Sequence, residues 1–407
     1  MRIEAPTTTP LSQRKQGSLH PDLTAAVHAL CGALTEMLTE VGADVSRPQE
    51  VSRKLLLDKS LSWKLSRIVG ATEVHEALQH LPGDAAVRIL IRAVERAGGS
   101  AKLRQKTQQM IGSLQETVRA RIGDKATLEL VVDALPDETG ERLSVSRKLA
   151  FRGNSAIWGV QARVRFNTIM LRPNAADPEM IDSALVAGWV DFRRLRHDAK
   201  WTVFRRHSFS DQQNKLADAP IDPAEPVDGP MFLRKFCSPN MPQIESVVQD
   251  GMRLDELGAS EVGNSGMFTY VFGSVVRALG SRYGPEGATV TFVANVSAPA
   301  EHLQFDMLVH RDCGFALKQQ VRTLAKLTVL DTPPQDSDVL PIQVMSRDLG
   351  RFPPVVTSPL MASYGEIIAD AARMLGWDLG EFSGTRHLMG YPPFPSTVVV
   401  SSALDRR

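Results

Sequence analysis

The sequence predicts an α+β chain of more than one domain, all-helical in its first third and β-rich and mixed, sandwich-like or barrel-like, thereafter. Three observations lead there. Apolar residues recur at helical spacing from residue 21 to 135, the turn-rich run Pro136-Asp137-Glu138-Thr139-Gly140 follows, and beyond it apolar and polar residues alternate. The 407 residues suffice for two or three cores.

Residues 1–20 mix Thr, Pro, Ser, Gln, Arg and Lys without an apolar run. They read as a flexible start, neither signal peptide nor membrane anchor, and the expected place is the cytoplasm. Leu23, Ala26, Val27, Leu30, Leu34, Met37 and Leu38 then form one helical stripe that Gly42 closes. After the stretch 48–69, taken up below, come a helix over 72–78 stopped by Pro82-Gly83, another over 84–97, one capped by Ser100 and running to Gly123, and a last over 125–135. The first domain is therefore 21–135.

From 141 to 407 the pattern changes. Strands are expected at 157–171, 183–195 and 200–209, with a Pro-, Asp- and Ala-rich loop at 211–230 that could divide the region. A strand at 289–297 is expected to pair with 303–309 across Ala298-Pro299-Ala300-Glu301, with further strands at 325–330, 339–345 and 397–402. Helices are expected at 241–249 and 364–375. Residues 266–279 suit helix or strand, since Phe268, Tyr270 and Phe272 alternate.

Ordinary proportions of apolar and charged residues exclude wholesale disorder, and a net charge of +1 leaves any nucleic-acid argument to local charge. Cys31, Cys237 and Cys313 are an odd number without paired spacing, so a reduced chain without a zinc site is expected. No cofactor signature occurs: neither a phosphate-binding loop nor a dinucleotide fingerprint is present.

The stretch 48–69 reads as helix, tight turn, helix. Val51 and Leu55 face Leu61, Leu65 and Ile68, and Asp58-Lys59-Ser60 lies between. Six cations (Arg47, Arg53, Lys54, Lys59, Lys64, Arg67) stand against Glu50 and Asp58 from 47 to 69. The run Glu50-Val51-Ser52-Arg53-Lys54-Leu55-Leu56-Leu57-Asp58-Lys59-Ser60 resembles the helix-turn-helix of bacterial transcription regulators of the winged-helix kind. The resemblance covers 48–69 only. It implies a recognition helix in the major groove, with Lys59, Ser60, Ser62, Trp63, Lys64 and Arg67 near DNA and Arg53 beside them. Leu56 stands where that family usually has Gly, Ser62 where an apolar residue is usual, and further helix follows where a β-hairpin wing would be.

A second basic zone spans 141–207, with thirteen cations against six acids and Trp158, Trp189, Phe192, Trp201 and Phe204 interleaved. It suits a groove for nucleic acid or an anionic ligand or, as period-two alternation predicts without any ligand, a sandwich with an aromatic core and a polar outer face. Asp306, His310 and Asp312, with Cys313 adjacent, would share one face of a strand and could hold a metal or an acid-base pair; the solvated side of an ordinary strand looks the same.

The expected function is a sequence-specific regulator that binds double-stranded DNA. Its C-terminal region would sense a small-molecule effector or build a homo-oligomer. The alternatives are a non-enzymatic adaptor whose helical domain binds a protein, and a metal-dependent enzyme centred on His310.

Overall fold

The structure, a computed structural model, describes residues 19–135, 142–207, 218–227, 229–249, 252–326 and 336–406. The chain falls into two compact units that part between Leu143 and Ser144. The predicted link at 136–140 and most of the predicted flexible start and of the loop 211–230 lie outside the described residues. No helix among those described is long and apolar enough to cross a membrane.

The first unit is helical: α1 (Pro21–Glu40), α2 (Pro48–Leu55), α3 (Lys59–Val69), α4 (Val74–Gln79), α5 (Asp84–Arg96), α6 (Ala101–Arg121) and α7 (Lys125–Asp133). Each starts or stops where local chemistry dictates. Ser100 accepts from the Leu103 N–H at the start of α6, Asp124 accepts from the Thr127 N–H at the start of α7, and Gly42 takes φ +66° after α1. The stripe of α1 is buried through Leu23, Val27, Leu30, Leu34, Met37 and Leu38 against Ile111, Leu114 and Val118 of α6. These two helices run antiparallel. Asp22 meets Arg121 at 2.6 Å at one end, and Glu40 accepts from the Ser100 N–H at 2.8 Å at the other.

The second unit opens with α8 (Arg142–Trp158) and continues as β1 (Val160–Pro173), β2 (Met180–Arg194), β3 (Thr202–His207), β4 (Ala219–Pro220), β5 (Ile244–Gln249), β6 (Met252–Leu257), β7 (Phe268–Ser281), β8 (Thr289–Val296), β9 (Ala300–His310), β10 (Gln319–Leu324), β11 (Val339–Leu340), β12 (Met345–Arg351), α9 (Tyr364–Leu375), β13 (Phe382–Gly390) and β14 (Ser396–Ala403). Seven strands form one sheet in the order β12-β13-β9-β1-β2-β7-β4, four form another as β11-β10-β14-β8, and β3-β6-β5 make a third. β1 lies inside the large sheet, antiparallel to β2 and parallel to β9. Both its faces are covered. Val164, Phe166 and Met170 pack with Ile367 and Ile368 of α9, while Ile169 and Leu171 pack with Phe292 and Val296 of β8 and Val398 of β14. Gly188 sits opposite Phe166 on β2, where any Cβ would strike the Phe166 ring and the Tyr270 carbonyl.

Several expectations are corrected. The strands expected at 289–297 and 303–309 exist as β8 and β9, but they belong to different sheets. Ala298 and Ala300 between them are fully buried, so the link crosses the sandwich instead of turning in solvent. Residues 244–249 are strand β5, not helix, because β6 supplies their hydrogen-bonding partner. The strand expected at 325–330 is absent at 325–326, where β10 has already ended at Leu324, and 327–330 lie outside the described residues. The expected strand 339–345 divides into β11 and the start of β12.

Charge is buried at the centre of this unit. Asp306 of β9, fully enclosed, takes two bonds from Arg386 of β13 at 2.9 and 2.7 Å and one from the Tyr364 hydroxyl at 2.5 Å. Tyr364 also meets Thr168 of β1 at 2.8 Å. Asp306→Ala, which leaves Arg386 buried and unpaired, is expected to cost about 3–5 kcal/mol; Tyr364→Phe is expected to cost about 1–3 kcal/mol. Urea unfolding followed by tryptophan fluorescence checks that order.

Burial also pushes the His387 imidazole down to about 4. The unfolded side chain takes its proton near pH 6.5, the folded one only near 4. Stability from neutral His387 is therefore full above pH 6.5 and lost as pH falls towards 4, by roughly 3 kcal/mol. Unfolding free energies measured from pH 7 to 4 should fall less steeply in His387→Gln than in wild type.

Candidate nucleic-acid interface

The stretch 48–69 folds as α2, a three-residue turn and α3. Pro48 opens α2 at a position where its missing N–H goes unneeded, and Val51 and Leu55 turn inward. Leu56 then takes the left-handed conformation, φ 51° and ψ 42°, with 79% of its surface exposed. That is the position at which the resembled family usually carries Gly. Leu57 is buried as the turn's apolar anchor, and its carbonyl accepts from the Ser52 hydroxyl at 2.8 Å. Asp58 starts α3 by accepting from the Ser60 N–H at 2.7 Å.

Inward, α3 presents Leu61, Leu65 and Ile68. Outward it brings together Lys59, Ser60, Trp63 and Arg67, all exposed, with Lys64 half-buried beside them. Trp63 is packed edge-on against His80 at 4.9 Å, and the Arg67 guanidinium lies 5.3 Å from its ring centre. Burial, reinforced by Arg67 and Lys64, holds His80 below the ordinary imidazole range. It adds no charge at neutral pH.

Of the six cations in this stretch, Arg47 is paired with Asp44 and Glu50, and Lys54 donates to the Gly42 carbonyl at 2.7 Å. Arg53, Lys59, Lys64 and Arg67 have no acidic partner among the described residues. Arg53 is exposed at the end of α2. Ser62 is a correction: it is fully buried and its hydroxyl donates back to the Asp58 carbonyl at 3.0 Å, so it leaves the outward set. No strand follows α3 among the described residues of the helical unit, where α4 and α5 stand in place of a wing.

The second basic zone divides: its strand aromatics and Arg165 and Arg194 are core, whereas Lys148, Arg152, Arg196 and Lys200 are exposed. Trp189 and Phe192 are fully buried, and Arg165, 3% exposed, lies 5.0 Å from the Trp189 ring while donating to the carbonyls of Phe166 and Gly188 at 2.8 and 3.0 Å. Alternation marked the strands. The cluster at 306–313 is divided as well. β9 ends at His310, so Asp312 and Cys313 lie on a 3-10 turn, and Asp306 is committed to Arg386. His310 sits 3.2 Å from Glu381, and burial pushes the Cys313 thiol up to about 12. Among the described residues no three His, Cys, Asp or Glu side chains converge as a metal site.

No family model matches the chain, and no curated protein matches it. Among solved structures, a Parabacteroides distasonis protein provisionally described as a protease matches with a TM-score of 0.29 and 6% identity, over 60% of this chain and 40% of that one. The chain thus spans less than half of that protein, and a likeness this slight carries no argument about fold or chemistry.

The left-handed turn can be tested through stability. A side chain at φ 51° costs about 1–2 kcal/mol relative to glycine, and Leu56 recovers little of it by burial. Leu56→Gly should raise the unfolding free energy of the helical unit, measured by urea titration, by about 1 kcal/mol, and Asp58→Ala should lower it by a similar amount.

Proposed function

We propose that the helical unit binds double-stranded DNA, with α3 entering the major groove, and that the chain is a transcription regulator whose β-rich unit senses an effector or builds an oligomer. One observation carries this reading. The outward face of α3 gathers cations without acidic partners, a hydroxyl and an indole on a helix held by a tight turn, whereas its inward face alone serves the core. Lys59, Lys64 and Arg67 supply phosphate contacts, and Ser60 and Trp63 lie where base edges or sugars would be met. Two such helices reach half-sites about 34 Å apart only in a dimer, so the reading entails self-association.

The test uses the full chain and a pool of random duplexes, with affinity measured by anisotropy between 50 and 200 mM salt. Each lost phosphate contact lowers the log–log salt slope by about 0.9. Lys59→Ala and Lys64→Ala should each remove about that much, and Arg67→Ala should also weaken binding by freeing Trp63. Lys125→Ala on α7 should change nothing. Absence of salt-dependent binding in the wild type would sink the proposal.

A further inference from the structure

We infer that the β-rich unit holds a binding site for a small ligand bearing an oxyanion, a phosphate or a carboxylate, at the edge where β12 pairs with β13. The inference stands apart from the DNA reading and needs no nucleic acid for its test.

A cavity of about 190 Å³ opens there, lined among others by Ser346, Arg347, Asp348, Arg351, Ser383 and Thr385. Its composition follows from a β-bulge. Asp348 pairs with Thr385 and Arg351 with Ser383, one residue out of step, because an extra residue is inserted at Asp348 to Gly350. Gly350 takes φ +88° to allow it. Without the bulge the small Gly350 would stand opposite Ser383; with it, the guanidinium of Arg351 falls on the face of Ser346 and Asp348.

The free polar groups of the cavity are chiefly donors. Neither Arg347 nor Arg351 has an acidic partner among the described residues. The Ser383 side chain is 2% exposed, and its hydroxyl has no hydrogen-bond partner. Thr385 adds a second hydroxyl on the same strand face. The opposing group is Asp348, one of whose carboxylate oxygens accepts from the Gly350 N–H at 2.8 Å. Ser346 is held separately: its hydroxyl lies 2.9 Å from His387 Nδ1, and His387 Nε2 lies 2.8 Å from Gln319 Oε1. Since the amide oxygen can only accept, Nε2 carries the proton and the Ser346 hydroxyl donates to Nδ1. A buried hydroxyl without an acceptor, a second hydroxyl and the unpaired guanidinium of Arg351 around one small cavity match the acceptor-only surface of a phosphate or carboxylate.

Calorimetric titration of the full chain with inorganic phosphate and, separately, with malonate, at constant ionic strength set by chloride, tests this. Saturable binding of one ion per chain is expected from at least one of them. Phosphate alone assigns a phosphate-bearing ligand, malonate alone a carboxylate, and both a site for either. Arg351→Gln should weaken binding about ten-fold or more and Ser383→Ala about three-fold. Ser383→Ala should not lower the melting temperature of the unliganded protein, because the hydroxyl it removes makes no bond. If Arg351→Gln does not fold, Thr385→Val takes its place, with about three-fold weakening expected. Absence of saturable binding of either ion, or affinity unchanged in the variants that fold, overturns the inference.

Discussion

A carboxylate with no access to water must be neutralised where it stands, and Asp306 imposes that condition on the whole β-rich unit. Arg386 meets it from the adjacent strand, Tyr364 from α9, and Gln304 along β9 itself. Thr168 holds Tyr364, and Ser358 holds Gln304 at 2.6 Å. One charged group thereby fixes the register of β9 on β13 and the seat of α9 over β1. A slip of one residue would carry Asp306 to the opposite face, among Phe305, Met307 and Val309, where nothing could pair with it.

In the helical unit apolar stripes decide most of the packing, with polar groups acting mainly at helix ends and Thr107 donating to the Ala33 carbonyl between α6 and α1. Leu56 shows how far packing can overrule local preference. The turn between α2 and α3 needs a left-handed residue, and the chain meets that need with a leucine whose side chain lies almost wholly in solvent. Burial of Leu55 and Leu57 on either side holds it there. The outward residues of α3 are free of any such duty. A residue that packing does not require, yet which carries unpaired charge, is where function is most readily sought.

The two units also place their polar groups differently. In the helical unit the cations lie on an outer face; in the β-rich unit Arg165, Arg194 and Arg386 are taken into the interior and bonded to carbonyls or to Asp306. Local excesses of basic residues in the sequence can therefore mean different things.

By itself the sequence determined what is local. The helices between 21 and 133, the cap at Ser100, the strands at β1, β2, β8 and β14, the helix α9 and most of the outward face of α3 follow from periodicity and end signals within a few residues, which is how helices and half-buried strands record themselves. Ser62 escaped because its hydroxyl turns back to Asp58, a bond that no spacing announces. Tertiary structure alone decided the partners: β1 with β9 in parallel, β8 parted from β9, β5 as strand, and Ser346, His387 and Gln319 joined across separations of 41 and 68 residues. Pairing of strands and neutralisation of buried polar groups are settled by the free energy of the whole packed unit, and no stretch of chain contains that sum.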